Sequence, residues 1–203
     1  MIPDPNALVL ALPRGGVPVG FEVARALRAE LDIFLVRKLG LPGQEELAIG
    51  AIASGGVRVL NEALLRESRL SPILIDQITA RERRELERRE DLYRDGRPAL
   101  PVRDRTVMVV DDGLATGASM KAASQALRLQ EPKRLVIAVP VASKQTCDEF
   151  RTNVDEIVCA YTPEPFIAVG IWYEDFSQTS DDEVKQLLTQ AERHSASRHR
   201  ERS

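Results

Sequence analysis

The 203-residue sequence has few cysteines, few histidines and little net charge. Its two cysteines, Cys147 and Cys159, lack the spacing of a metal site or a redox pair, so we expect two reduced residues in or near the core. Both histidines, His194 and His199, lie in the polar and basic segment 194–203, which we expect to be disordered, and this position disfavours a catalytic histidine. A net charge of −3 provides no basic field, so no nucleic-acid partner is predicted.

Long apolar runs are also missing. The N-terminal run Ala7–Leu12 is followed by Pro13 and Arg14 and is too short for a signal peptide or a membrane span. We therefore expect a soluble cytoplasmic protein without a membrane partner. No repeat or linker divides the chain, and its length suffices to bury a core, so residues 1–193 are predicted to form a single domain.

The most informative segment is residues 107–120, VMVVDDGLATGASM. Its four leading apolar residues run into Asp111 and Asp112, a short turn follows, and Thr116 begins a helical pattern that continues to Gln130. A continuous apolar run ending in turn residues is typical of a buried parallel strand, and amides at a helix start bind phosphate. Because the two carboxylates would repel a phosphate, they suit sugar hydroxyls or metal-bound water, and the pattern indicates a sugar phosphate.

The order of the other patterns predicts an α/β fold. After Pro101 the sequence follows a β-α-β-α-β order, which indicates a Rossmann-like parallel sheet with helices on both faces. The predicted strands are 7–12, 32–36, 107–111, 134–140 and 154–160, the predicted helices are 17–30, 71–94, 116–130 and 143–150, and a hairpin is predicted from 48–53 and 57–60. In such sheets ligands bind beyond the carboxyl ends of the strands.

Basic residues follow two of these predicted strands. Arg14, Gly15 and Gly16 follow the first strand, and Arg37 and Lys38 follow the second. Glycines let backbone amides approach an anion closely, and a guanidinium group donates several hydrogen bonds to it. An ordinary turn for the glycines, and a solvated pair for Arg37 and Lys38, remain as alternative interpretations.

The middle of the predicted helix 71–94 is densely charged. Between Arg81 and Asp91 nearly every residue carries a charge, and Glu85 precedes Arg89 by four positions. Because the acids offset the arginines, we interpret this stretch as a solvated helix face and not as a binding surface.

Residues 107–120 resemble the phosphoribosyl pyrophosphate (PRPP) motif of the type I phosphoribosyltransferases, in which apolar residues precede two acids, a few small residues and Thr-Gly-x-Ser/Thr. The stretches LPRGGVPVG, VLNEAL and TPEPFIAVGIWY also resemble a bacterial branch of that family, sometimes fused to a hydrolase, and the likeness extends from residue 7 to about residue 180. The resemblance implies the type I phosphoribosyltransferase fold with a small hood from residues 161–180. It further implies a homodimer that transfers phosphoribosyl from PRPP to a nitrogen heterocycle such as a nucleobase and releases pyrophosphate.

The resemblance also implies roles for individual residues. Asp111 and Asp112 would be catalytic, because they would hold the ribose hydroxyls and favour an oxocarbenium-like transition state. The ribose 5-phosphate would be bound by Gly113, Leu114, Ala115, Thr116, Gly117, Ala118 and Ser119. The pyrophosphate would be bound by Arg14, Gly15, Gly16, Arg37 and Lys38. Mg²⁺ would be held mainly by substrate oxygens and water, without a protein metal site, and the segment 39–47, which looks mobile, would form a lid with the hairpin.

The acceptor site is predicted from the segment 161–176, which contains more than half of the nine aromatic residues of the chain. Tyr161, Phe166 and Trp172 are candidates for stacking on a planar acceptor, whereas a satellite hydrophobic cluster or a dimer contact is the alternative interpretation. Six residues precede the first strand, where related chains carry a helical lead-in that helps to build the hood. The possibility of a truncated or alternatively started chain therefore stays open, and the sequence does not identify the acceptor.

Two other function classes compete with the transferase. A regulatory protein could keep the fold as a PRPP or nucleotide sensor without turnover, but Arg14 and the pair Arg37 and Lys38 favour an enzyme, since a sensor does not need to handle pyrophosphate. An aspartyl phosphotransferase of the haloacid dehalogenase type would need an acid two residues after Asp111, where Gly113 stands. A phosphoribosyltransferase is therefore the predicted function.

Overall fold

A five-stranded parallel sheet is the central element of the computed structural model, which describes residues 4, 6–41, 43–68 and 70–201, with side chains for all of these except 44–47, 68 and 196–201. The elements along the chain are β1 (Ala7–Ala11), α1 (Gly16–Leu27), β2 (Glu30–Ile33), β3 (Val36–Leu41), β4 (Gln44–Ala53), β5 (Val57–Leu60), α2 (Glu62–Ser68), α3 (Pro72–Arg94), β6 (Thr106–Val110), α4 (Ala118–Arg128), β7 (Arg134–Val141), α5 (Lys144–Phe150), β8 (Glu156–Tyr161) and α6 (Asp181–Glu201). The spatial order is β2-β1-β6-β7-β8, and every neighbouring pair is parallel. This confirms the predicted parallel α/β sheet.

Helices cover both faces of this sheet because successive strand residues point to opposite sides. On β1, the side chain of Val9 packs with Ala24 of α1, whereas Leu8 and Leu10 pack with Met120 of α4 on the other face. Helix α6 packs beside α1 and against β2. Among the described residues, none of these helices combines the length and the apolar composition that a bilayer crossing requires.

A separate antiparallel sheet, in the order β3-β4-β5, packs against α3 and α4. Its β4–β5 hairpin was predicted. The segment 39–47 was predicted to be mobile, but the structure places 39–41 in β3 and 44–47 in β4, while residue 42 lies outside the described residues. The strands can pair here because Gly43 turns the chain with a φ of 81°, a conformation that favours glycine.

The sheet order creates a crevice between β1 and β6. From β1 the chain crosses to β2 at one edge, whereas β6 continues to β7 and β8 on the other side. The loops that follow β1 and β6 therefore diverge from each other, which is the arrangement that forms ligand sites in open α/β sheets. Two of the predicted site segments, 14–16 and 111–119, begin at this crevice.

Several predicted boundaries are wrong for local reasons. The first helix ends at Leu27, before the predicted residue 30, because Arg28 takes a left-handed conformation with a φ of 55°. Consequently β2 begins at Glu30 and ends at Ile33, before the predicted 36. The predicted helix 116–130 begins at Ala118, since Gly117 is also left-handed, with a φ of 67°.

The predicted disorder of residues 194–203 is wrong for 194–201, which continue α6, and residues 202 and 203 lie outside the described part of the chain. Helix α6 buries Val184, Leu188 and Ala191 at helical spacing against the domain. These buried residues hold the first part of α6 against the domain, and the helix continues into residues 194–201, where the polar composition did not predict it.

The structure places the sulfur atoms of Cys147 and Cys159 side by side, where a disulfide could form, whereas the sequence predicted two reduced residues. Helix α5 packs on β8, which brings Cys147 beside Cys159 although twelve positions separate them. Cys147 is buried and Cys159 is half-buried, in agreement with the predicted core or near-core positions. A reducing compartment would keep such a pair as thiols.

Candidate active site

Two adjacent carboxylates, Asp111 and Asp112, follow β6 at the crevice between β1 and β6. The Asp112 amide donates to Asp111 Oδ1 at 2.9 Å, and both side chains are half-buried. Burial, assisted by the charge of Asp112, raises the pKa of the Asp111 carboxyl from its ordinary 3.8 to about 7. Burial also raises the pKa of Asp112. Among the described residues, neither carboxylate forms an ion pair, which suits a ligand that brings hydroxyl donors or a cation.

Gly15 and Gly16 bring the loop after β1 into direct contact with this acid pair. A Cβ on Gly15 would overlap the carboxylate of Asp112, and one on Gly16 would lie 2.8 Å from the Val110 carbonyl oxygen. The Gly16 amide already donates to Leu12 O at 3.0 Å. Gly16 therefore serves close packing, whereas the sequence predicted a backbone approach to pyrophosphate. The preceding peptide, Pro13–Arg14, is cis.

The loop between β6 and α4 presents unpaired amides. Within the described part of the chain, the amides of 115–117 donate no hydrogen bond, and α4 begins without a side-chain cap. The carbonyl of Ala115 is held away from them by the Thr146 hydroxyl at 2.7 Å. Exposed Thr116 and Ser119 add two hydroxyls beside these amides. Free amides at the start of an eleven-residue helix are groups that can bind an anion.

Leu114 differs from its neighbours in this loop. Its side chain is buried, its amide donates to Val141 O at 2.9 Å, and its carbonyl accepts from the Ser143 amide at 3.1 Å. Leu114 thus anchors the loop to β7 and α5 and has no free amide for the phosphate that the resemblance assigned to it. Gly113 is required for packing, because a Cβ there would lie 2.6 Å from Val169.

Arg37 and Lys38 are not brought to the acid pair. Because β2 ends at Ile33, these residues lie inside β3, where Arg37 forms an ion pair with Glu82 of α3 at 2.6 Å. Lys38 is exposed. Neither residue lines the cavity that holds Arg14 and Asp112. The structure thus gives no support to their predicted contact with pyrophosphate.

A cavity of about 770 Å³ opens beside the acid pair. Arg14, Gly15 and Asp112, three of the predicted site residues, are among its lining residues. The sequence did not identify the side chains that line it from α3, the segment before α6 and the start of α6, among them Arg88, Arg89, Leu92, Tyr93, Tyr173, Phe176 and Asp181. The charged stretch of α3 was interpreted as a solvated face, yet part of it lines this cavity.

The aromatic residues that line the cavity are not the ones that the sequence analysis proposed. Tyr161 and Trp172 pack edge to face, with ring centroids 5.2 Å apart, and do not line the cavity; both are exposed, and Phe166, half-buried, does not line it either. The cavity is lined by Tyr173 and Phe176, whose rings also lie 5.2 Å apart. Two aromatic residues of the predicted segment thus line the cavity, but the sequence could not tell which side of the segment faces inward.

Tyr173 joins this segment to the acid pair, since its hydroxyl donates to the Asp112 carbonyl oxygen at 2.5 Å. We expect Tyr173→Phe to lower the free energy of unfolding by about 1 kcal/mol, because a partly buried carbonyl loses its donor. It should also raise KM for PRPP more than it lowers kcat. Chemical denaturation and steady-state kinetics test both effects. Tyr161→Phe, the same change outside the cavity, should alter neither quantity, and equal effects of the two variants would contradict the assigned link.

The acid pair fits a divalent cation that arrives with a ligand. Carboxylate oxygens are ligands that Mg²⁺ accepts, and burial raises the pKa of both Asp111 and Asp112, so a cation beside them would favour their ionised forms. In the part of the chain that the structure describes, no group of three or more His, Cys, Asp or Glu side chains is placed to hold a metal. These residues therefore suit a Mg²⁺ ion held largely by the ligand's own oxygens.

The chain is similar to known proteins. A family model described as the phosphoribosyl transferase domain matches residues 2–170. Over 186 residues the chain is 48% identical to proteins named "Putative phosphoribosyl transferase" in two strains of Mycobacterium tuberculosis, CDC 1551 / Oshkosh and H37Rv, with 92% of this chain and 42% of each relative covered. The chain thus spans less than half the length of these relatives. The crystal structure of TT1426 from Thermus thermophilus is 43% identical, with a TM-score of 0.81 over 91% of this chain and 88% of that chain. The chain therefore belongs to the phosphoribosyl transferase domain family.

Proposed function

We propose that this domain transfers the phosphoribosyl group of PRPP to a nitrogen heterocycle such as a nucleobase and releases pyrophosphate. The observation that carries the proposal is the position of Asp111 and Asp112 beside two groups that can bind an anion. The amides of 115–117, which donate no hydrogen bond among the described residues, follow the pair along the chain, and Arg14 lines the same cavity as Asp112. A ribose with a phosphate at C5 and a pyrophosphate at C1 has the matching order of charges.

The chain's residues would act mainly by position and charge. The start of α4, with Thr116 and Ser119, would hold the 5′-phosphate, and the acid pair would accept hydrogen bonds from the ribose hydroxyls. As the bond from C1 to pyrophosphate lengthens, the nearby carboxylates would favour the positive charge that develops on the ring. The acceptor nitrogen then bonds to C1 while the pyrophosphate oxygen leaves with the bonding electron pair. Neither step requires a histidine base.

Mg²⁺ is the cofactor that we assign to this reaction. Asp111 and Asp112 would contact it or its water ligands, while substrate oxygens would supply most of its coordination. When bound, the ion would neutralise charge on the leaving pyrophosphate.

The acceptor would lie in the 770 Å³ cavity beside Asp112. Tyr173 and Phe176 line it and present apolar ring surface to a planar molecule. These two residues replace Tyr161 and Trp172 as our candidates for stacking, and Phe166 is not retained. A small hood built from 161–180 remains our proposal for the cover of this site.

Pyrophosphate release tests the proposal most directly. The protein is incubated with PRPP, Mg²⁺ and a panel of nitrogen heterocycles, and released pyrophosphate is measured beside calorimetric titrations with PRPP. Release that depends on a heterocycle is the expected result. Tight PRPP binding without release across the panel would favour the sensor, and absence of PRPP binding would reject both functions.

Asp112→Asn is expected to lower kcat/KM for PRPP at least about tenfold, because an amide replaces the charge near C1 at nearly constant shape. The Gly113 amide that faces Asp112 can still donate to the asparagine oxygen. Steady-state kinetics and circular dichroism measure turnover and fold together. Asp91→Asn, an exposed change on α3, serves as the control and should have no effect. Unchanged turnover in Asp112→Asn would remove this residue from the mechanism.

Two further expectations accompany the function. The homodimer stays a prediction, supported by exposed apolar side chains near Tyr161, among them Ile167 and Ile171. The cytoplasmic location and the single domain over 1–193 also stay predictions.

A further inference from the structure

Two arginines of α3 face the cavity, although neither belongs to the strand ends where the family motif lies. Arg88 and Arg89 line the same cavity as Arg14 and Asp112. Arg84, one turn earlier on the same helix, is exposed and does not line it. Only part of the charged stretch of α3 therefore lines the cavity, whereas a fully solvated helix face would leave all of its charged residues in solvent.

The α3 pair retains positive charge. Both oxygens of Glu85 accept from Arg88, at 2.7 and 2.9 Å, and one of them also accepts from the Arg89 Nε at 2.8 Å. Two guanidinium groups thus share one carboxylate, so the three side chains keep a net charge of +1. Among the described residues, no hydrogen bond uses the terminal nitrogens of Arg89. Such nitrogens can donate to an oxyanion without breaking the existing pairs.

A carboxylate of the protein, that of Asp181, lines the cavity together with these arginines and Arg14. Asp181, at the start of α6, accepts from the Tyr93 hydroxyl at 2.7 Å and lies 3.5 Å from a terminal nitrogen of Arg14. The hydrogen bond from Tyr93 lowers the pKa of Asp181, and the charges of Arg14 and Arg89, which line the same cavity, add to this lowering. An anion that displaced the Asp181 carboxylate would meet the same cationic groups.

We propose that Arg88 and Arg89, together with Arg14, bind an oxyanion of the ligand. Arg88 and Arg89 would supply the cationic contacts that the sequence analysis assigned to Arg37 and Lys38, which do not line the cavity. This inference deepens the proposed function and rests on it, because the oxyanion would be either the pyrophosphate of PRPP or a carboxylate or phosphate on the acceptor.

Calorimetric titration of the full chain separates the two sources. Wild type, the double variant Arg88→Gln/Arg89→Gln and the control Arg84→Gln are titrated with inorganic pyrophosphate, with ribose 5-phosphate, and with pyridine-3-carboxylate and its uncharged amide in the presence of ribose 5-phosphate. Glutamine retains helix propensity, and circular dichroism checks the fold of each variant.

We expect the double variant to raise the Kd of one oxyanion probe at least about tenfold, because two charge-assisted contacts are lost. Ribose 5-phosphate and the uncharged amide should change by less than about twofold, as should every probe with Arg84→Gln. A change for pyrophosphate assigns the contact to the leaving group, and a change for pyridine-3-carboxylate assigns it to the acceptor.

Unchanged Kd values for both oxyanion probes, or equal losses in Arg84→Gln, would overturn the inference. Failure of the proposed function has a different outcome. In that case wild type would not bind ribose 5-phosphate or PRPP, whereas a loss of pyrophosphate binding in the double variant would still support the arginine contact.

Discussion

Gly15→Ala is expected to lower kcat/KM for PRPP about a hundredfold or more, while the free energy of unfolding stays within about 1 kcal/mol of wild type. Gly15 has a φ of −59° and a ψ of −33°, which alanine adopts without strain. The added Cβ would overlap the carboxylate of Asp112. Because that side chain can rotate, we expect the fold to persist and the carboxylate to leave its position beside the ribose site.

Gly16→Ala is the matched control, with the same chemical change one residue later. Here the Cβ would lie 2.8 Å from the Val110 carbonyl oxygen and 2.9 Å from the Asp111 Cα, and these backbone atoms cannot rotate away. We therefore expect the free energy of unfolding to fall by about 2 kcal/mol or more. Chemical denaturation and the pyrophosphate-release assay distinguish the variants. A fully active Gly15→Ala protein would contradict the placement of Asp112 against this loop.

Asp111→Asn should stabilise the protein at pH 8 by roughly 2 to 4 kcal/mol and by less than half as much at pH 5. Burial raises the pKa of the Asp111 carboxyl to about 7 in the folded protein, from 3.8 ordinarily, and the charge of Asp112 adds to this shift. Between these two pKa values the folded protein retains a proton that the unfolded chain has released. The stability of wild type therefore falls as pH rises from about 4 to about 7, and asparagine removes this loss because it cannot ionise.

Urea denaturation from pH 5 to pH 8, with a chelator present, measures this difference. Glu87→Gln, an exposed carboxylate of α3, is the control and should leave the pH dependence of stability unchanged. If the stabilisation by Asp111→Asn were the same at both pH values, packing and not ionisation would account for it.

Local patterns predicted the parts of the site that a single strand–turn–helix unit contains. The acid pair, the exposed hydroxyls of Thr116 and Ser119 and the loop at Gly15 lie at strand ends because neighbouring residues determine strands, turns and helix starts. The parallel sheet followed from the alternating order of strands and helices.

Contacts between distant segments were not predictable in the same way. Arg88 is far from Arg14 in sequence, and the charged stretch around it has the composition of a solvated face. Arg37 and Lys38 lie away from the acid pair because the left-handed Arg28 ends α1 early, which moves β2 back and places both residues in β3. The sequence could not show that Tyr173 lines the cavity and Trp172 does not, because irregular backbone has no period that assigns side chains to a face.

The contact between Tyr173 and the Asp112 carbonyl has an optical consequence. Trp172, the single tryptophan of the chain, is the neighbour of Tyr173 and packs edge to face on Tyr161. A molecule that displaces the loop at Asp112 would shift this indole through one peptide bond and change its emission. Tryptophan fluorescence, excited at the red edge of indole absorption where tyrosine absorbs little, would thus follow the occupancy of the site without an attached dye.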